Sequence, residues 1–201
     1  MALGSPAHAA PGDRQGEVEL SVTSDVAWLV SDSAMVTSAD QTMGLPELRL
    51  GWSPLDALDV FAGWRVVGRL ERDDKGYAMT SDGDALVLGA RGRYPLLPWL
   101  ALVGELELEA LHLDESIAVG AHHGGSDGWT FGAVPKVGIE GTLDLGGWAC
   151  VLRLEGGYGF RAPLSVDGIR FASDAAEVVP VDLGTLDLSG PVFGLTLAVR
   201  L

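Results

Sequence analysis

Glu105, Glu107 and Glu109 stand two residues apart, and the same spacing separates Arg91 from Arg93. Side chains two apart share a face only on an extended strand. Arg49, Arg65, Arg69, Arg91, Arg93, Lys136, Arg153, Arg161 and Arg200 all fall on the polar face of such alternating segments. So do Glu47, Asp59, Glu71, Glu105, Glu107, Glu109, Glu140, Asp144 and Glu155. If that face is enclosed, the two sets must pair, because leaving one partner of a buried pair alone costs about 3–5 kcal/mol. The chemistry available is a structural ion-pair network that fills an interior, or else a narrow ion path lined by the same residues. The filled interior is the favoured reading.

Other reactive types are sparse. The four histidines are His8, His112, His122 and His123. The run from His122 to Asp127 (HHGGSD) pairs two histidines without further ligands at metal-binding spacing, so a solvated loop is the favoured reading. Asp73-Asp74 and Asp82-Gly83-Asp84 lack the full pattern of a calcium loop. Nucleophilic catalysis needs a nucleophile, a base and an orienting carboxylate together, and neither a Gly-x-Ser-x-Gly motif nor a phosphate-binding glycine loop occurs. The expectation is no catalytic residue, no metal and no cofactor. Cys150, the only cysteine, can form no intramolecular disulfide and reads as a small strand filler. A formal net charge of −15 argues against nucleic acid as a partner.

The elements that would hold the charged residues are strands. Between residues 129 and 145, the odd positions Trp129, Phe131, Ala133, Pro135, Val137, Ile139, Leu143 and Leu145 are apolar apart from Gly141. The even positions include Thr130, Lys136, Glu140 and Asp144. Seventeen residues of alternation exceed an ordinary globular strand but suffice to cross a bilayer at a tilt. Seven more segments follow the rule: residues 17–28, 45–52, 58–71, 85–94, 100–113 and 148–164, and a last one ending the chain with Phe193, Leu195, Leu197, Val199 and Leu201. Short turns are expected at 53–56, 95–99 and 146–147, and polar loops at 31–44, 72–84, 114–128 and 165–184. Those loops carry formal charges of −2, −2, −3 and −3, most of the excess acidity. The chain divides into an N-terminal tail, residues 1–16, a candidate leader remnant, and a single barrel domain, residues 17–201.

Mean hydropathy is positive, +0.25, despite the high charge. No run of 18 apolar residues occurs, which excludes an ordinary transmembrane helix. Alternation alone does not separate a membrane barrel from a soluble lipocalin-like carrier, whose apolar face points inward. Two features favour the membrane. The polar face mixes glycines (Gly51, Gly63, Gly89, Gly132, Gly138, Gly157, Gly159) with long charged side chains, as a narrow lumen requires. Aromatic residues (Trp28, Trp52, Tyr94, Trp99, Trp129, Trp148) gather near strand ends, as interfacial girdles do, although Trp64 falls mid-strand. The expected fold is all-β, an eight-stranded antiparallel up-and-down transmembrane β-barrel.

From residue 17 to the end the chain resembles the small eight-stranded outer-membrane barrels of the OmpA transmembrane-domain, OmpX and OmpW kind. The resemblance is clearest in the final stretch, residues 194–201 (GLTLAVRL), which closes on Leu201 where such barrels usually carry an aromatic residue. It implies a Gram-negative outer-membrane location with periplasmic termini, contact with outer-membrane lipid and lipopolysaccharide, and folding by the barrel-assembly machinery. The expected function is non-enzymatic, structural or adhesive, with an extracellular ligand unknown. The alternatives are a narrow porin-like channel, a soluble carrier, and a lipid A-modifying enzyme in which His112 would be the base to test.

Overall fold

The computed structural model describes residues 14–30, 42–74, 77–119, 122–165, 169–171, 179–181 and 185–201. Within these, the side chains of residues 69–74, 77, 119, 122–123, 165, 169–171 and 179–181 lie outside the description. Eight strands close a barrel among the described residues: β1 (Val18–Trp28), β2 (Thr42–Leu55), β3 (Leu58–Asp74), β4 (Tyr77–Leu97), β5 (Leu100–Val119), β6 (His122–Asp144), β7 (Ala149–Arg161) and, last in the chain, β12 (Gly190–Arg200). Each is antiparallel to its neighbours, and β1 pairs with β12 to shut the ring, from Glu19↔Arg200 to Ala27↔Val192. Between β7 and β12 lie two two-stranded ladders: β8 (Leu164–Ser165) with β11 (Thr185–Leu186), and β9 (Ile169–Phe171) with β10 (Val179–Val181).

The alternation is realised as inside and outside. In β1 every second residue is buried, with Glu19, Ser21, Thr23, Asp25 and Ala27 facing in and Val18, Leu20, Val22, Val26 and Trp28 facing out. The other barrel strands repeat this: Leu86 and Leu88, Leu106 and Leu108, Val137 and Ile139, and Leu152 and Leu154 are all exposed on the outer wall. The apolar surface is therefore external and the charges internal, the reverse of a soluble carrier.

Three tight connections, at Asp56–Ala57, Pro98–Trp99 and Gly146–Gly147, lie at the same end as both termini. The last needs left-handed backbone at Gly146 (φ 76°) and Gly147 (φ 105°), which glycine adopts without strain. Asp144 belongs to that turn, where its Oδ1 accepts from the Gly146 amide at 2.8 Å. It is exposed rather than part of the interior, because the β6 alternation ends at the turn. Arg14 and Gln15 donate their amides to Asp56 Oδ1, and the Gly16 amide bonds the Ser53 carbonyl at 2.8 Å, tying the segment before β1 to this end. Pro135 lacks an N–H, and the β6–β7 ladder is interrupted between Ala133 and Lys136 while the β5–β6 ladder runs through.

Two expected loops are instead strand. Residues 72–74 and 77–84 continue the β3–β4 hairpin, and residues 114–119 and 122–128 continue the β5–β6 hairpin. The reason is a change of chemistry without a change of period. Outward positions turn polar (Asp82, Asp84, Asp114, Ser116, Asp127), whereas inward ones turn apolar (Met79, Ala85, Leu111, Leu113, Ile117). With Ala27, Leu29, Met43, Leu45, Val67, Val134, Leu164, Leu186, Leu188 and Val192 they form an apolar core filling the loop end of the lumen. Leu164, Leu186 and Leu188, which flank the expected longest loop, contribute to it.

The inward glycines make room for large side chains. Gly51, Phe61 and Gly89 occupy one rung of β2, β3 and β4. A Cβ at Gly89 would stand 2.7 Å from Phe61 Cε2, so the ring rests on bare backbone. Gly89→Val is expected to lower stability by about 1–3 kcal/mol through overpacking, read as a lower urea midpoint in vesicles. The added cost of Gly89→Val should vanish in a Phe61→Ala background, and the same cost in both backgrounds would remove the wedge.

Candidate interior ion-pair site

Glu107 on β5 is fully buried at the middle of the lumen. It receives Arg65 Nη2 at 2.6 Å and Lys136 Nζ at 2.5 Å, together with the guanidinium of Arg49. These cations come from β3, β6 and β2. Arg65 is further held by Glu47 Oε2 (2.6 Å), Glu109 Oε2 (2.6 Å) and Asp25 Oδ2 (3.4 Å). Lys136 reaches Asp25 Oδ2 at 2.6 Å across to β1. Arg49 binds Glu47 on its own strand and Glu105 Oε1 at 2.7 Å.

A second cluster lies nearer the turn end. Arg153 bonds Glu140 Oε2 at 2.7 Å and also pairs with Glu19. Arg200 meets Glu19 Oε2 at 2.8 Å and Glu140 at 3.4 Å, and Arg93 also pairs with Glu140. Arg91 sits between Glu105 (2.6 Å), Glu19 (3.4 Å) and Asp59 (3.7 Å), so Glu105 joins the two clusters. The Phe61 ring lies beneath both Arg49 and Arg91, with Cζ atoms 4.7 and 5.2 Å from its centre. At the other end Arg161 pairs with Glu109 and donates Nη1 to the Leu188 carbonyl at 2.8 Å, fastening the network to the apolar core.

All eight barrel strands contribute, and fifteen of the residues expected inside are there: Glu47, Arg49, Asp59, Arg65, Arg91, Arg93, Glu105, Glu107, Glu109, Lys136, Glu140, Arg153, Glu155, Arg161 and Arg200. Glu155 differs from the rest, being buried with neither carboxylate oxygen hydrogen-bonded among the described residues. Arg69 lies where the β3–β4 register shifts, between Val67↔Gly83 and Leu70↔Ser81. Its side chain, like that of Glu71, lies outside the described residues. Sequence reasoning passed over Glu19 and Asp25, two acceptors the network depends on. Their signal was present, because both alternate with the outward Val18, Leu20, Val22 and Val26.

Carboxylate oxygens of Asp25, Glu47 and Glu107 converge within 4.8 Å, close enough to share a cation. The protein supplies that charge itself: Arg65 contacts all three, and Lys136 contacts two. The arrangement can do one thing well, which is to bind strands together across the lumen with charge-assisted bonds.

On the outer wall, His112 stacks on Trp129 (ring centres 4.9 Å apart) and faces Asp127 at 3.6 Å and Asp114 at 3.8 Å. Trp64, expected mid-strand, donates its indole N–H to Asp84 at 3.0 Å and so marks the loop-side edge of the apolar surface. The lengthened hairpin accounts for this, since β4 continues beyond Asp84 to Tyr77. His122 and His123 fall in β6 rather than a loop, and their side chains lie outside the described residues, as do those of Asp73 and Asp74. Asp82 and Asp84 share the outer face of β4 instead of wrapping a calcium loop.

Glu107→Ala would strand Arg49, Arg65 and Lys136 around a missing shared acceptor, and should cost about 3–5 kcal/mol in equilibrium unfolding. Glu155→Gln removes a charge that makes no hydrogen bond, so its stability should equal or exceed that of wild type. Equal losses for both variants would contradict the network as drawn.

No protein-family model matches the sequence, and no curated protein does. Among solved structures, the chain is similar to a major outer membrane protein from Thermus thermophilus, with 10% identity, 91% of this chain and 98% of that one covered, and a TM-score of 0.54. It also matches Ail, the attachment invasion locus protein of Yersinia pestis (10% identity, 93% and 99% covered, TM-score 0.48). The N-terminal β-barrel domain of Pseudomonas aeruginosa OprF matches as well (11% identity, 93% and 98% covered, TM-score 0.45). The likeness to the Thermus protein is one of fold: a closed eight-stranded barrel as found in outer-membrane proteins.

Proposed function

We propose that this barrel is an integral protein of a bacterial outer membrane, non-enzymatic, with a closed lumen and a structural or adhesive role. The observation that carries the proposal is the apolar outer wall around a charged interior. Exposed Leu20, Leu50, Leu88, Leu106, Val137, Leu152 and Leu197 come from seven different strands, so the apolar belt runs round the barrel. In water such a continuous surface would drive association. In a bilayer it is the required surface, and a closed ring leaves no strand edge unpaired in hydrocarbon.

Aromatic residues border the belt on both sides. Trp52, Tyr94, Trp99 and Trp148 lie towards the short turns, and Trp28, Trp64 and Trp129 towards the loops. In the orientation proposed, termini and short turns face the periplasm while the tall β3–β4 and β5–β6 hairpins stand outside. Lipid and lipopolysaccharide would meet the belt and its acidic rim, and barrel-assembly machinery would insert the chain. The ladders between β7 and β12 would offer the surface for adhesion. Ion passage is the less favoured role, since the buried pairs and the apolar core both cross the lumen.

The test is refolding with and without detergent micelles, followed by circular dichroism and gel mobility of unboiled and boiled samples. A β-rich, heat-modifiable species formed only with detergent is expected. A monodisperse β-protein in plain buffer would overturn the membrane reading. Leu106→Arg on the outer wall should cost about 2–4 kcal/mol in bilayers if the belt is lipid-facing. Asp114→Asn, beyond the belt, should cost nothing measurable. Steady conductance of the wild type in planar bilayers would replace the closed lumen with a channel. Retention of displaying cells on coated surfaces, unchanged after removal of residues 166–184, would leave the structural role alone.

A further inference from the structure

We infer that Glu115 and Ser81 form a proton-binding site at the loop end of the lumen, where the neutral Glu115 acid holds the apolar core closed and its ionisation opens it. Glu115 projects inward from β5 between Leu113 and Ile117, and Ser81 projects inward from β4 two positions from Met79. The two are directly opposed in the β4–β5 register, so their side chains share a face and are within reach of one another. Ser81 is fully buried and Glu115 is 4% exposed. Among the described residues, neither Glu115 oxygen, nor Ser81 Oγ, has a hydrogen-bond partner. These unmet polar atoms sit within the apolar core, and they lie side by side.

The described groups around Glu115 offer no countercharge. Ser81 faces it from β4 and Ser126 from β6, and both are neutral. Its neighbour Asp114 and the opposed Asp82 and Asp127 are exposed on the outer face. Arg161, the cation that borders the core, is committed to Glu109 and the Leu188 carbonyl. Burial pushes the Glu115 carboxyl up to about 7, with no charged side chain among the described residues contributing. A protonated Glu115 can donate its O–H to Ser81 Oγ and accept from the Ser81 hydroxyl. An ionised Glu115 can accept from the Ser81 hydroxyl but meets no countercharge among the described residues, so its charge is better solvated by water than by the apolar enclosure. The proton goes to solvent, and Leu164, Leu186 and Leu188, which pack across the same core, must then give way.

The sign follows from proton counting. The closed state binds its proton more tightly than the open state, where Glu115 returns to the ordinary value near 4.5. Closure is therefore strongest below that value, weakens as pH rises towards about 7, and changes little above it. Between pH 5.5 and 8 the opening constant should rise on the order of 30-fold.

Amide hydrogen exchange of the refolded full chain in micelles, corrected for the intrinsic rate, reads this directly. Residues 78–85 and 111–118 should lose protection by about that factor, while residues 103–109, beside the ion-pair network, should not. Glu115→Gln, which mimics the neutral acid, should abolish the change. Ser81→Ala, which removes the hydroxyl opposed to Glu115, should move the midpoint. A pH response unchanged in Glu115→Gln, or equal loss of protection in both regions, would overturn the inference. Should that variant fail to fold, the carboxyl carbon resonance of Glu115 in the wild type decides: a midpoint near 7 supports the site, and one near 4.5 removes it. These outcomes are independent of detergent-dependent insertion, so failure of the membrane reading is distinguishable.

Discussion

A charge removed from water must find its opposite, and in this barrel that requirement converges on Glu107. Arg49, Arg65 and Lys136 reach it from three strands, and through them Asp25, Glu47, Glu105 and Glu109 are drawn into one assembly. Each guanidinium that serves several carboxylates fixes the distance between the strands carrying them. The ladder hydrogen bonds define each neighbouring pair, but the ion pairs act across the lumen, where no backbone bond can. Glu19 on β1 pairing with Arg153 on β7 and Arg91 on β4 is such a cross-brace. Gly63 and Gly132 follow from the same demand, since a Cβ there would crowd the Glu47 carboxylate and the Glu109–Arg161 pair respectively.

Away from the turn end the barrel changes its interior while keeping its ladder. Glu105, Glu107 and Glu109 give way along β5 to Leu111, Leu113 and Ile117 on the same face, and the outer face changes in the opposite sense. The lower part is an inside-out protein matched to hydrocarbon, and the upper part is an ordinary one matched to water. Trp64 bound to Asp84 and Trp129 stacked on His112 lie where the two meet. Arg161 belongs to both storeys, joining Glu109 below to the Leu188 carbonyl above. Glu115 is the exception in the upper storey, a carboxyl without a hydrogen-bond partner among leucines.

The legible part of this architecture was whatever depends on period alone. Alternation assigns Leu106 and Glu107 to opposite faces in any strand, and it correctly set nearly all the charged residues apart from the apolar ones. Acidic outward positions give residues 77–84 and 114–119 the composition of a loop, yet the period of two continues through both stretches. Asp144 differs for the converse reason: its parity is right, but as the last residue of β6 it lies at the turn and is exposed. Glu19 and Asp25 are equally legible, because β1 displays both at the inward spacing, but no cation stands on that strand to mark its inner face as charged.

What the amino-acid sequence determined by itself is which side chains share a face and therefore that one surface is apolar and the other charged. That follows from local backbone geometry, which repeats every second residue regardless of the rest of the chain. Only the closed tertiary structure decided which face is enclosed, which carboxylate each guanidinium meets, and where the interior turns from ionic to apolar. Those outcomes depend on strand tilt, register and the pairing of β1 with β12, which bring together residues as distant as Glu19 and Arg200. Distance across a lumen is a property of the ring, and no stretch of sequence shorter than the whole barrel contains it.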